Sequence, residues 1–307
     1  MTAKKALRRL VRKGLNKINP IGFYSLVQKF YLPPQNLIPK LTFHGLFNID
    51  ISGIAQAKLY NSAFPIETIL FWQGFNSSSW ELTSRKIWVE LVKTQGVILD
   101  IGANSGIYSI IAKAINPLNR VIAFEPQPNI YEALLKNINA NSFNIEAENY
   151  ALSNQKGILP FYNFGEDSFT DYNTTAGSLN KDWNTNEQVS IDVEVKLLSE
   201  VLISKKIEKV DLIKIDVETY EIQVLEGYGS LFFDHRPILL IEVQNNEIGS
   251  QLNTMLNGKN YLYYQINEGI GIEKKVEITP NNATSKDYVN YVLIPQEKDY
   301  LISSLSL

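Results

Sequence analysis

The residues in this chain that could do chemistry are a glycine turn and a handful of acidic side chains. Residues 97–106 read Val-Ile-Leu-Asp-Ile-Gly-Ala-Asn-Ser-Gly, so Asp100 stands two residues before Gly102, and Asn104 and Gly106 close the turn. Glycines there let backbone approach a ligand, and the N-terminus of a following helix favours an anionic group. Glu125 lies about 20 residues further on, the separation at which an acidic side chain accepts hydrogen bonds from ribose hydroxyls. A nicotinamide cofactor would bring G-x-G-x-x-G, whose glycines serve a pyrophosphate. Here the pattern is D-x-G-x-N-x-G. Its leading acid would repel a pyrophosphate but could hold an ammonium, which points to a nucleoside carrying an amino-acid tail, S-adenosylmethionine. Each glycine alone reads as an ordinary strand-to-helix turn and Glu125 as a solvated strand end; only together do they specify a cofactor.

Composition narrows what else could act. The 307 residues contain no cysteine and two histidines, His44 and His235. Thiolate nucleophiles, disulfides and iron–sulfur clusters are excluded, and a zinc centre built on several imidazoles has no ligands. Proton chemistry then falls to carboxylates, tyrosines and lysines. Asp216 and Glu218 are the candidates for a base acting on a hydroxyl acceptor, although Asp216 could equally cap the helix after it and Glu218 favour that helix's positive end. With Glu242 the two could instead converge on a hard cation such as magnesium, which would orient the acceptor and lower its pKa. Lys214 and both histidines read as structural.

Elements must bring these residues together. Val97, Val121, Asn144, Val210 and Ile238 open short apolar runs that end near Ile101, Phe124, Tyr150, Ile215 and Val243. Between the first of them, Ile107, Ile110, Ile111 and Ala114, then Tyr131, Leu134, Leu135 and Ile138, recur at helical spacing. A further helix is expected over residues 80–93, and one over 220–226 with Gly227 as its C-terminal cap. Alternating strands and helices imply an α/β fold with a doubly wound, mostly parallel sheet. Every suspicious residue then sits at a strand's carboxyl end, where such sheets bind ligands. Residues 261–266 and 288–294 read as a C-terminal antiparallel pair, and residues 161–195 as a polar insertion over the sheet edge.

Residues 1–79 read as an extension preceding a catalytic domain at 80–307: a basic amphipathic helix ending before Pro20, then a small antiparallel meander from pieces at 40–43, 48–54 and 57–60. Residues 1–49 carry nine Lys or Arg and no acid, so the overall net charge of −3 divides into +9 there and −12 on the rest. The helix could lie on an anionic membrane through residues 1–19, dock on the acidic body, or resemble a transit peptide. With no apolar run long enough to span a bilayer and no secretory pattern, the expected location is cytoplasmic.

Residues 97–106, Ala123-Phe-Glu-Pro126, Asn149-Tyr-Ala-Leu-Ser153 and Ile213-Lys-Ile-Asp-Val-Glu218, followed by Glu221, Val224-Leu225 and Gly227, resemble the FkbM-type methyltransferases. The resemblance covers residues 80–294 in order and spacing. It implies the class I methyltransferase Rossmann-like fold, S-adenosylmethionine as cofactor, and O-methylation of a sugar or secondary-metabolite hydroxyl by in-line transfer. It further implies that Asp100, Gly102 and Asn104 surround the methionine part, Glu125 the ribose, and Asn149, Tyr150 and Ala151 the adenine. Trp80-Glu81 is similar to an aromatic-acidic pair of that family. Thr219 departs from it, because the fourth motif usually continues with glycine; a side chain there would narrow the acceptor pocket or alter the turn. The expected partner is a small-molecule or glycan acceptor. The acidic body disfavours nucleic acid. A noncatalytic nucleotide-binding protein docked through its basic head and a nicotinamide-dependent oxidoreductase stand as the alternatives.

Overall fold

A computed structural model describes residues 21–164, 176–183, 188–280, 289–303 and 305. The basic stretch 1–19 and much of the polar insertion lie outside the described residues.

The central sheet is built from β3 (Val97–Ile101), β4 (Arg120–Phe124), β5 (Ile145–Glu148), β9 (Leu212–Ile215), β10 (Ile238–Val243), β11 (Tyr261–Asn267), β12 (Gly271–Lys275) and β13 (Val289–Pro295), in the order β12-β11-β13-β10-β9-β3-β4-β5. The pairs β5-β4, β4-β3, β3-β9 and β9-β10 are parallel, whereas β13 runs antiparallel to both β10 and β11. The doubly wound α/β sheet and its C-terminal antiparallel pair are therefore as the periodicity implied. Side chains alternate between the faces. Ile98, Val121, Ala123, Leu212, Ile238 and Leu240 enter one core, and Leu99, Ile122, Phe124, Ile213, Ile215, Leu239 and Ile241 the other.

Helices α3 (Leu82–Leu91) and α4 (Ile107–Ile115) pack into the first core with α5 (Pro128–Asn141); α6 (Leu198–Ser204), α7 (Glu221–Tyr228), α8 (Leu231–His235) and α9 (Asn246–Leu256) pack into the second. The expected Gly227 cap is corrected. Helix α7 continues to Tyr228 and Gly229, at φ +64°, ends it. Gly227 instead permits close packing, since a Cβ there would sit 2.0 Å from the Ser153 carbonyl oxygen.

Before the sheet, α1 (Ile21–Gln28) leads into the hairpin β1 (His44–Ile51) and β2 (Ala55–Ser62), then α2 (Pro65–Gln73). The meander is thus one two-stranded hairpin, and residues 40–43 precede it rather than forming a strand. Its β2 edge is closed by side chains: Asn141 Oδ1 and Asn137 Oδ1 accept from Lys58 N (2.8 Å) and Tyr60 N (2.6 Å), while Asn141 Nδ2 donates to the Lys58 carbonyl. Two asparagines four apart on α5 share one helix face, which lets them follow the strand.

The polar insertion also holds strands. β6 (Ala151–Leu152), β7 (Gly157–Phe164) and β8 (Gln188–Lys196) form a separate sheet, with β7 antiparallel to β8. Only one of its faces is apolar, through Ala151, Phe161, Val193 and Val195, so in a polar composition its alternation reads as loop.

Candidate active site

One cavity of about 520 Å³ opens at the carboxyl ends of β3, β4, β9 and β10. By chemistry its lining divides into two groups, a turn lobe of Ile101, Gly102, Asn104, Phe124, Glu125 and Ala151 and a carboxylate lobe of Glu81, Tyr108, Lys214, Asp216, Glu218 and Glu242. Asp100, Gly106 and Asn149 are not among its lining residues.

Those three build the lobe from behind. The Asp100 carboxylate is buried and accepts from Ser109 N (3.0 Å) and Ser109 Oγ (2.7 Å), tying β3 to α4. Its other oxygen has no hydrogen-bond partner, and burial raises its pKa. Gly106, at φ +84°, has no room for a side chain, because a Cβ would lie 2.3 Å from Leu134 Cδ1. Asn149 Nδ2 donates to the carbonyls of Glu125 (2.8 Å) and Pro126 (3.1 Å), fixing the β4 end. Gly102, at φ +76°, lies so close to β9 that a Cβ would fall 1.9 Å from the Asp216 carbonyl oxygen. The turn can therefore be made only by glycine.

Glu125 is 6% exposed and accepts from Asn104 N and Gln127 N, each at 2.9 Å. These bonds lock turn and acid into one unit. A carboxylate has about four acceptor positions, so sites toward the cavity are left. Burial, outweighing both bonds, pushes its pKa up to about 7. Behind the turn Glu67, on the first turn of α2, is fully buried and likewise raised to about 7, with the Ser105 hydroxyl partly offsetting that.

In the other lobe Lys214 Nζ pairs with Asp216 at 2.8 Å and lies 4.8 Å from the Tyr108 ring centroid. Gln244 Nε2 donates to both Glu218 (2.5 Å) and Glu242 (2.7 Å). The Tyr108 hydroxyl donates to Glu81 at 2.5 Å. Burial, reinforced by Asp216, raises Glu218 and Glu81 to about 7 and Glu242 well above its ordinary range. The expected convergence of Asp216, Glu218 and Glu242 on magnesium is not what this geometry provides. An amide NH₂ bridges two of the carboxylates and an ammonium holds the third, and among the described residues no group of three or more His, Asp or Glu could hold a metal ion.

Lys214, read from sequence as structural, is a wall of the cavity, and Glu81 was singled out only as part of an aromatic-acidic pair. Glu81 is delivered by the loop after α2. Arg85, fully buried on α3, donates to the carbonyls of Phe75 and Trp80 and to Ser78 Oγ, wrapping that loop around its guanidinium. Glu268, from the β11–β12 turn, accepts from Thr83 N (2.7 Å) and Ser84 N (3.2 Å) at the start of α3. Neither residue carries a sequence signal, since an arginine inside a helix reads as surface. Thr219 resolves its own ambiguity: it does not line the cavity, and at φ +73° following Glu218 at φ +56° it sits in the turn, with Oγ1 accepting from Asn180 Nδ2 at 2.8 Å. Glycine would suit that backbone; threonine alters the turn and leaves the pocket alone.

A parallel sheet with a reversed strand beside its fifth, a glycine turn locked to an acid one strand over, and a cavity at the strand ends define the class I methyltransferase fold. Residues 100–263 match the Methyltransferase FkbM domain family, and the chain belongs to it. It is 29% identical over 188 residues to methyltransferase sdnD of Sordaria araneosa, covering 53% of this chain and 73% of that protein. It is 25% identical over 174 residues to the hexuronic acid methyltransferase AglP of Haloferax volcanii, covering 57% and 67%. Among solved structures, the FkbM methyltransferase of Methylobacillus flagellatus aligns with a TM-score of 0.42 at 14% identity, over 64% of this chain and 43% of that one. The nicotinamide oxidoreductase alternative is overturned by this membership.

Proposed function

We infer that the protein is an S-adenosylmethionine-dependent O-methyltransferase acting on a hydroxyl of a small molecule or glycan, in a cytoplasmic setting. The observation that carries this reading is a single cavity with a nucleoside-type lobe at Gly102, Asn104 and Glu125 and a carboxylate lobe at Glu81, Asp216, Glu218 and Glu242. The residues fit the cofactor. Gly102 and Asn104 put turn backbone on the cavity wall, Glu125 retains acceptor positions for ribose hydroxyls, and Phe124, Tyr150, Ala151 and Leu152 offer an apolar sleeve for a base. When bound, the cofactor supplies an electrophilic methyl group.

The protein's part is alignment and proton removal. In-line transfer would require the acceptor oxygen within about 3 to 3.5 Å of the methyl carbon, and the packed strand ends that line the cavity would provide that positioning. The acceptor's proton passes to Glu218, whose pKa near 7 suits a base working at neutral pH. Asp216 pairs with Lys214, and the Lys214 ammonium partly offsets the upward push on the Glu218 pKa. Metal assistance has no part in the proposal, because Gln244 Nε2 and Lys214 Nζ already stand between the carboxylates.

Isothermal titration with S-adenosylhomocysteine tests the cofactor half. Binding is expected, with at least tenfold loss in Glu125→Ala and little change in Asp216→Asn or Glu218→Gln; equal affinity in Glu125→Ala would remove Glu125 from the site. Transfer of labelled methyl from S-adenosylmethionine across a panel of hydroxyl, amine and carboxylate acceptors tests the other half, and label found only on nitrogen or carboxylate would overturn O-methylation.

A further inference from the structure

No residue of α1 lines the cavity, and the surface around α1 is unlike the rest of the described molecule. Helix α1 is anchored along one side. Ile21, Tyr24 and Val27 pack on the core, the Tyr24 ring lies 5.3 Å from that of Trp72 and 6.0 Å from that of Phe43, and Gln28 Nε2 donates to the Phe71 carbonyl. That register turns Phe23, Leu26 and Phe30, spaced i, i+3 and i+7, to the outside, and Tyr31, Leu32 and Leu37 extend the same exposed run.

Phe23 is 66% and Phe30 83% exposed. Six of the 14 large apolar side chains exposed among the described residues fall between residues 23 and 37, while the others are scattered singly. Scattered ones need no explanation; a contiguous group marks an interaction surface.

Its charge says what covers it. Lys29 and Lys40 flank the apolar residues, seven further Lys or Arg precede them in residues 4–17, and the first acidic residue of the chain is Asp50. An apolar face among cations, with no acid for 49 residues, matches a surface that is hydrocarbon underneath and anionic on top. A second copy of the chain meeting this face through the same face would bring like cations against each other.

We propose that Phe23 and Leu26 of α1, with Phe30, Tyr31, Leu32 and Leu37 just after it, dock on the surface of an anionic lipid bilayer, the aromatic and aliphatic side chains entering the headgroup region and Lys29 and Lys40 pairing with lipid anions. The contact proposed is peripheral, made by side chains lying on the bilayer surface. Among the described residues no helix is long and apolar enough to span one. Helix α2 links this face to the cavity: Ile66 in its first turn lines the cavity, and Phe71 and Trp72 in its last turn back α1. Six residues of helix span about 9 Å, so docking would hold the cavity close to the lipid surface.

Sedimentation of the full chain with large unilamellar vesicles tests the proposal. Vesicles of phosphatidylcholine with about one third phosphatidylserine should bind at least tenfold more tightly than pure phosphatidylcholine, and binding should weaken as salt shortens the Debye length below about 8 Å. Phe23→Ser/Phe30→Ser should lose vesicle binding with an unchanged melting temperature, because both side chains are already in water, and Lys29→Glu should weaken it severalfold. Failure to sediment with anionic vesicles, or undiminished sedimentation of the double variant, would overturn it. So would analytical ultracentrifugation showing a dimer that the double variant abolishes, since the face would then belong to a second copy.

Discussion

At the scale of single residues, the site is governed by how burial treats carboxylates. A carboxylate base must be ionised, so under the role proposed for Glu218 its folded pKa of about 7 means that kcat should fall as pH drops through that value, tenfold per unit well below it. Glu218→Gln should lower kcat by at least a hundredfold and remove this limb. If the limb survives in Glu218→Gln and vanishes in Glu81→Gln, the base is Glu81, which has a similar pKa and sits in the same lobe. Glu67 gives a stability effect of opposite use. Its pKa is raised from 4.5 to about 7, so the protonated form is favoured by folding. Its contribution is full below pH 4.5 and is lost as pH rises through 7. A shift of that size corresponds to about 3 kcal/mol between those limits. Melting temperature should therefore decline from pH 5 to pH 8, and Glu67→Gln should flatten the decline; an identical slope in the variant would show that Glu67 is not its source. The glycine turn and Glu125 were legible as residues because their spacing is local. Lys214, Arg85 and Glu268 were not, since what distinguishes them is burial among partners far away in the chain.

At the scale of elements, the β9–α7 turn is under strain that the chain accepts. Two successive non-glycine residues, Glu218 and Thr219, hold positive φ, and a β-branched residue there is disfavoured. Such positions cost on the order of 1–3 kcal/mol. The Asn180 hydrogen bond returns part of this by tying the turn to the segment before β8. Thr219→Gly should accordingly be neutral to stabilising by about 1 kcal/mol in urea denaturation, with cofactor affinity unchanged because the side chain is outside the cavity; a loss above 2 kcal/mol would mean that the Asn180 bond outweighs the backbone. Apolar runs and helical periodicity revealed the parallel strands and their helices, as residues buried on two faces leave little ambiguity. The small β6-β8-β7 sheet escaped because half of it is solvated. Gly227 was misjudged as a cap because a glycine near a helix end looks the same whether it serves φ or proximity.

At the scale of the whole molecule, the described hairpin before the sheet shares apolar packing with it. Phe43, Phe47, Ile49, Ile51 and Leu59 share one core with Trp88, Ile98, Ile110 and Val121. Asn137 and Asn141 close the hairpin edge from α5. Calorimetry of the intact chain should show one cooperative transition, and a fragment of residues 80–307 should fail to fold or aggregate, with its half of this core exposed; two resolved transitions would restore the boundary at 79–80 that composition suggests. From sequence alone came the α/β sheet, the family, the cofactor turn and the division into a basic head and an acidic body, since each rests on spacing or charge within short stretches of chain. Tertiary structure decided which acids face the cavity and which support it from behind, that an amide pairs with two of the carboxylates and an ammonium with the third, and that α1 packs Tyr24 inward and exposes Phe23 and Leu26. These depend on distances between residues separated by many tens of positions, and only packing sets those distances.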